Sequence, residues 1–111
     1  MKSPKELHLE RQLLSLLQEG TDSHSLAQLL TSDSEIEAIQ DYANSVSIKR
    51  LNYNDHGPVH MRQVAVNVVK MLSVLKQAGV KTSLEQEDAG SYEDSLCALL
   101  LAAFLHDLGM S

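Results

Sequence analysis

Three side chains of metal-binding type lie at the ends of predicted helices, next to glycine or proline, namely His60, His106 and Asp107. Imidazole and carboxylate groups bind divalent ions such as Mn, Fe, Ni, Zn or Mg while leaving coordination positions open for water. Such an ion lowers the pKa of its bound water and neutralises charge on a phosphoryl oxygen. Because adjacent helical residues point about 100° apart, His106 and Asp107 reach one ion only if it lies over the edge of their helix. We therefore predict these three residues as metal ligands, with a further ligand supplied from elsewhere.

Neighbouring polar residues have roles that the sequence leaves open. His56 is a candidate for an additional ligand, for a contact to substrate phosphate, or for a loop histidine that hydrogen-bonds the backbone at the helix entry. Asp55 is expected to cap the helix that follows. Arg62 is a candidate for a phosphate contact or for an exposed salt bridge with an acidic neighbour. Two further histidines, on the predicted N-terminal helices, are assigned no function: His8 and His24.

Two stretches of the chain resemble a known family. They are residues 53–60, YNDHGPVH, and residues 102–109, AAFLHDLG. Together they resemble the HD-domain metal-dependent phosphohydrolases, a family defined by an ordered pattern of His, then His-Asp, then a distant Asp on an all-helical fold. The resemblance implies that His60 is the first ligand, with Arg62 trailing it, and that His106 and Asp107 form the dyad.

The resemblance covers about residues 50–111 and departs from the family pattern at its end. No residue follows Ser111 in this sequence, so it contains neither the family's final Asp nor the histidines that hold a second metal in binuclear members. We therefore expect either a fragment of a longer protein or a degenerate domain. An uncovered apolar surface is then expected around Leu100, Leu101 and Leu108, which predicts self-association or coverage by further polypeptide.

Three functions are compatible with these residues. The first is hydrolysis of a phosphomonoester or phosphodiester, with a nucleotide-like substrate, in which His60, His106 and Asp107 hold the metal and metal-activated water attacks phosphorus. The second is a catalytically inactive HD-like regulatory or binding module, which the missing Asp favours for this chain. The third is a helical interaction domain in which the motif is a coincidence. Metal content separates the third from the others, and activity in a longer chain separates the first from the second.

Helices must position these residues, because apolar side chains recur at helical spacing and no stretch alternates convincingly as a strand. The predicted fold is all-α, an HD-like bundle of five helices that is incomplete in this chain, with residues 1–50 as an N-terminal helical segment and 51–111 as the metal-binding part. The two long helices are expected over about 59–78 and 92–108, and residues 80–90 are expected to form a flexible connection. The predicted caps and stops are Gly20, a Ser32–Glu35 capping box, Gly79, a Ser91–Asp94 capping box and Gly109. The predicted inward residues are Leu7, Leu13, Leu14, Leu17, Leu26, Leu29, Leu30, Ile36, Ile39, Ala43, Val46, Val64, Val68, Met71, Leu72 and Leu75.

Composition excludes several classes of protein. With 111 residues, 43% of them hydrophobic and 22% charged, the chain fits one soluble globular domain. A formal net charge of −6 argues against an extensive nucleic-acid surface, although a small phosphorylated substrate remains compatible because a metal supplies local positive charge. Cys97 has no partner for an internal disulfide. No run reaches the roughly 18–20 apolar residues of a membrane span, and the N-terminus lacks a signal-peptide core, so we expect a cytoplasmic protein.

Overall fold

The structure is a computed structural model that describes residues 2–39, 41–42 and 58–106. Its helices are α1 (Pro4–Leu16), α2 (Asp22–Ser32), α4 (Pro58–Gln77), α5 (Ser83–Gln86) and α6 (Tyr92–Leu105). Residues 34–39 and 41–42 are also helical and are called α3. No strand occurs in these described ranges, so the predicted all-α class is confirmed.

Local sequence signals fix the ends of the two helices that carry the candidate site. α6 begins with the predicted capping box, in which the Ser91 hydroxyl accepts from the Asp94 backbone N–H and the Asp94 carboxylate accepts from the Ser91 N–H. α4 is terminated at Gly79, whose φ of 79° is left-handed and favours glycine. The Gly79 N–H donates to the Lys76 carbonyl, and the Val80 N–H donates to the Leu75 carbonyl at 2.9 Å. Both predicted signals are therefore confirmed.

Two local predictions are wrong. The cap of α3 is Asp33, whose Oδ1 accepts from the backbone N–H groups of Glu35 and Ile36 at 2.9 and 3.1 Å. Ser32 instead ends α2, where its hydroxyl donates to the Gln28 carbonyl. The expected flexible connection contains α5, because Thr82 and Glu85 form a second capping box that nucleates one helical turn.

Four helices pack in a ring around one core. α1 lies against α4, α4 against α6, α6 against α2, and α2 against α1. α4 and α6 are antiparallel, because His60 meets His106 at one end and the Lys76 ammonium lies over the Tyr92 ring at the other. Core side chains come from all four helices: Leu9, Leu13, Leu17, Ala27, Leu30, Ala65, Val66, Val69, Leu72, Leu96, Leu100, Ala103 and Phe104. The boundary predicted near residue 50 lies outside the described residues and stays a prediction.

The predicted apolar face of α4 is correct only in part. Of its five residues only Leu72 is buried. Val64 and Val68 are partly buried, whereas Met71 and Leu75 are exposed. The residues that α4 buries are Pro58, Met61, Arg62, Ala65, Val66, Val69 and Leu72. Leu7 and Leu29, which were predicted to face inward on α1 and α2, are likewise exposed, while Leu13, Leu17 and Leu30 are buried as predicted.

Within the described part of the chain, no helix is both long enough and apolar enough to cross a membrane.

Candidate functional site

The candidate site lies where the start of α4 meets the end of α6. The imidazole rings of His60 and His106 have centroids 5.8 Å apart and are tilted by 58°. Antiparallel packing of the two helices causes this approach, since His60 is in the first turn of α4 and His106 is the C-cap of α6. The predicted proximity of these histidines is confirmed.

The His106 ring is oriented by its own helix. Its Nδ1 lies 2.8 Å from the Ala103 carbonyl oxygen. A carbonyl oxygen only accepts hydrogen bonds, so Nδ1 carries the proton and donates. In the neutral ring the lone pair then resides on Nε2, which is the arrangement seen in metal-ligating histidines whose other nitrogen donates to a carbonyl or carboxylate.

The spacing of the two rings can be compared with that of two histidines on one divalent ion. A metal–nitrogen bond of about 2.0–2.1 Å places a ligating ring centroid about 3 Å from the ion, so two such rings lie about 5–6 Å apart. The observed separation of 5.8 Å agrees with this geometry. Asp107, the third predicted ligand, and His56, the candidate additional ligand, lie outside the described residues, as does Asp55. In the described ranges no group of three His, Cys, Asp or Glu side chains is arranged to hold a metal.

An open, shallow apolar groove adjoins His106. It runs between α4 and α6, and its walls are Val64, Val68, Leu99, Ala102, Ala103 and His106. Leu99, Ala102, Ala103 and His106 form the α6 side of this groove. The predicted uncovered surface is corrected in part: Leu100 is fully buried, Leu101 is 40% exposed, and Leu108 lies outside the described residues.

Arg62 lies inside the bundle and not on its surface. Its side chain is fully buried, and its Nε donates to Glu10 Oε2 on α1 at 2.7 Å. Pairing with an acidic neighbour was one of the two predicted roles, but the expected exposed setting is wrong. A phosphate contact would require this guanidinium to leave the interior and break its short ion pair with Glu10. Breaking a buried, charge-assisted pair is energetically costly.

Glu10 is the residue of this region that sequence reasoning missed. It also accepts from the Lys2 ammonium, with Nζ 2.9 Å from Oε2, and Lys2 in turn donates to the Thr31 carbonyl at the end of α2. The carboxylate therefore connects the N-terminus, α1 and α4. One signal was present in the sequence, because Arg62 shares a helical face with Ala65 and Val69, and an arginine on a buried face requires a counter-charge.

In the N-terminal half of α6, two groups have raised pKa values. Burial raises the pKa of the Cys97 thiol, and the carboxylates of Glu93, Asp22 and Asp94 raise it further. Burial also raises the pKa of the Tyr92 hydroxyl, with Glu85 and Glu93 adding to the effect. These shifts favour the neutral thiol and phenol, so neither group is primed as a nucleophile at neutral pH.

Comparison with known proteins gives one informative similarity. No family model and no solved structure gives a significant match to the chain. The uncharacterized protein MJ1020 of Methanocaldococcus jannaschii is 40% identical over 82 residues, which are 74% of this chain and 32% of that protein. The chain thus spans about a third of the length of this curated relative.

Proposed function

We propose that this chain supplies His60, His106 and Asp107 to the divalent metal centre of an HD-type phosphohydrolase. The observation that carries the proposal is the 5.8 Å approach of the His60 and His106 rings. These are the two described residues that the motif resemblance independently selects as ligands. The Nδ1 hydrogen bond of His106 adds support, because it puts the proton on Nδ1 and the lone pair on Nε2, the tautomer that a ligating histidine requires.

The chain's own residues have distinct tasks in this proposal. His60 and His106 bind through imidazole nitrogen, and the Ala103 carbonyl holds His106 in the required tautomer. Asp107 contributes a carboxylate that offsets the charge of the ion. When bound, a divalent ion supplies activated water and neutralises phosphoryl charge. The apolar groove between α4 and α6 offers a surface for the organic part of a nucleotide-like phosphoester.

Metal titration tests the proposal directly. Calorimetric titration of the chain with Mn²⁺, Ni²⁺ or Zn²⁺ at neutral pH should show binding, which His106→Ala abolishes and Asp107→Ala weakens strongly. Binding should also weaken on acidification, because protons compete for the imidazole nitrogens. His8→Ala and His24→Ala are matched controls that remove a histidine from α1 or α2 and should leave binding unchanged. Equal binding by wild type and His106→Ala would remove the support for this site.

Hydrolysis of a chromogenic phosphomonoester and phosphodiester then separates the enzyme from its alternative. Metal-dependent turnover that is lost with His106→Ala supports phosphohydrolase activity. Metal binding without turnover, in this chain and in a longer natural protein that includes it, supports a regulatory or binding module.

A further inference from the structure

We infer that Arg62 is a positioning residue that holds the start of α4, and with it the His60 imidazole, against the end of α6. The inference rests on the proposed function only where metal affinity is the readout. Arg62 would touch neither metal nor substrate, since its side chain is fully buried.

The guanidinium contacts three structural elements at once. Its Nη1 donates to the Pro58 carbonyl at 3.1 Å, and its Nε donates to Glu10 on α1 at 2.7 Å. Its central carbon lies 5.6 Å from the centroid of the Phe104 ring on α6, within the range of a cation–π contact.

Two of these contacts lie two residues from the candidate ligands. Pro58 is the first residue of α4 and precedes His60 by two positions. Phe104 precedes His106 by two positions on α6. A shift of the guanidinium would therefore be transmitted over less than one helical turn to each imidazole.

Arginine is suited to this task because its planar fork donates in fixed, separate directions. Nε and Nη1 here serve two acceptors on different parts of the fold, Glu10 and Pro58. A lysine ammonium at the same place is a single point charge on a flexible stem and does not fix two such directions together. If Arg62 served only to form a buried ion pair, its bond to Glu10 would be sufficient, and the second bond to the Pro58 carbonyl would not be required.

The test separates positioning from stability by means of two variants. Arg62→Met fills similar space without a donor, and Glu10 keeps its Lys2 partner in that variant. The double variant Glu10→Met/Arg62→Met replaces the whole pair by apolar groups, which is often neutral or stabilising for a buried ion pair. Neither variant contains a side chain at position 62 that donates to the Pro58 carbonyl.

Two measurements report on the ring geometry. The first is the nuclear Overhauser contact between the His60 and His106 rings in metal-free protein, and the second is the dissociation constant for Zn²⁺. We expect both variants to lose the ring contact and to bind Zn²⁺ about 10–100-fold more weakly, as when an orienting group of a metal site is removed. The double variant should nevertheless unfold at a urea concentration close to that of wild type.

Two controls define what a merely structural role would give. Gln63→Ala removes a half-buried neighbour on α4 whose side-chain amide donates to Asn67 at the helix surface, and it should change neither measurement. Leu72→Ala creates a cavity in the same helix about 15 Å along its axis from Arg62. It should lower stability while the ring contact and the affinity of the folded protein are retained.

The outcomes are distinct. Full recovery of the ring contact in the double variant, or its persistence in Arg62→Met, would overturn the positioning role. Absence of the contact in wild type would do the same. If wild type shows the contact but binds no Zn²⁺, the proposed function fails. The positioning role of Arg62 is then judged from the ring contact in the variants alone.

Discussion

The two ion pairs of Glu10 provide the sharpest prediction about stability, because one carboxylate serves a buried cation and a partly exposed one. Arg62 is 0% exposed, whereas the Lys2 side chain is 22% exposed. Removing one partner of a buried pair costs about 3–5 kcal/mol. A pair accessible to solvent contributes about 0–1 kcal/mol. Glu10→Ala should therefore destabilise the protein by about 3–5 kcal/mol, and Lys2→Ala by about 1 kcal/mol or less.

These losses are readily measured. Domains of this kind are stable by about 5–15 kcal/mol, so Glu10→Ala would remove a large share of the total. With a urea m-value of about 2 kcal/mol per M, its unfolding midpoint should fall by about 1.5–2.5 M, compared with about 0.5 M or less for Lys2→Ala. Circular dichroism at the helical band follows both transitions. Glu10→Gln keeps a side chain of the same length with one acceptor oxygen. Its unfolding midpoint should therefore lie between those of Glu10→Ala and Lys2→Ala.

The result that would refute this reasoning is a pair of equal, small shifts for Glu10→Ala and Lys2→Ala. It would mean that solvent or rearrangement compensates the guanidinium despite its burial. A combined Lys2→Ala/Glu10→Ala variant completes the cycle and isolates the energy of the Lys2–Glu10 pair.

Two further predictions concern the C-terminal end of α4 and the Cys97 thiol on α6. Gly79→Ala should destabilise the protein by about 1–2 kcal/mol, because φ is 79° although the space for a methyl group is open. Urea unfolding of the variant and of wild type measures the loss, and an unchanged midpoint would contradict the prediction. The pKa of Cys97 is raised, so its alkylation by iodoacetamide should rise with pH at a higher midpoint in the folded protein than in urea. The same shift means that the neutral thiol stabilises the fold at neutral pH and that this contribution is lost as the pH rises through the folded-state pKa. A midpoint in the native protein at or below that in urea would contradict the assignment.

Features with a local cause were predictable from the sequence. The Ser91–Asp94 capping box and the Gly79 stop each depend on a few consecutive residues, and both form as predicted. The approach of His60 to His106 was predictable for a related reason. The motif resemblance places both at helix ends, and antiparallel packing of consecutive long helices brings such ends together.

Features with a long-range cause were not predictable. Glu10 and Arg62 are 52 positions apart, and neither has a neighbour in sequence that reveals the other. The buried face of α4 was also hard to predict, because its apolar residues lie around much of the helix and do not define one face. Periodicity alone then selects a plausible stripe without indicating which stripe the other helices cover.

The error on α4 helps to explain the candidate site. His60, Val64 and Val68 are spaced by four residues and share one face of the helix. That face was predicted to enter the core, but the fully buried residues are on the side of Ala65 and Val69. Val64 and Val68 lie at the edge of the core and line the groove beside His106. Burial of Arg62 is consistent with this rotation, because a residue two positions from His60 points about 200° away from it around the helix. The pairing of Arg62 with α1 and the presentation of His60 toward α6 are thus two consequences of one helix orientation.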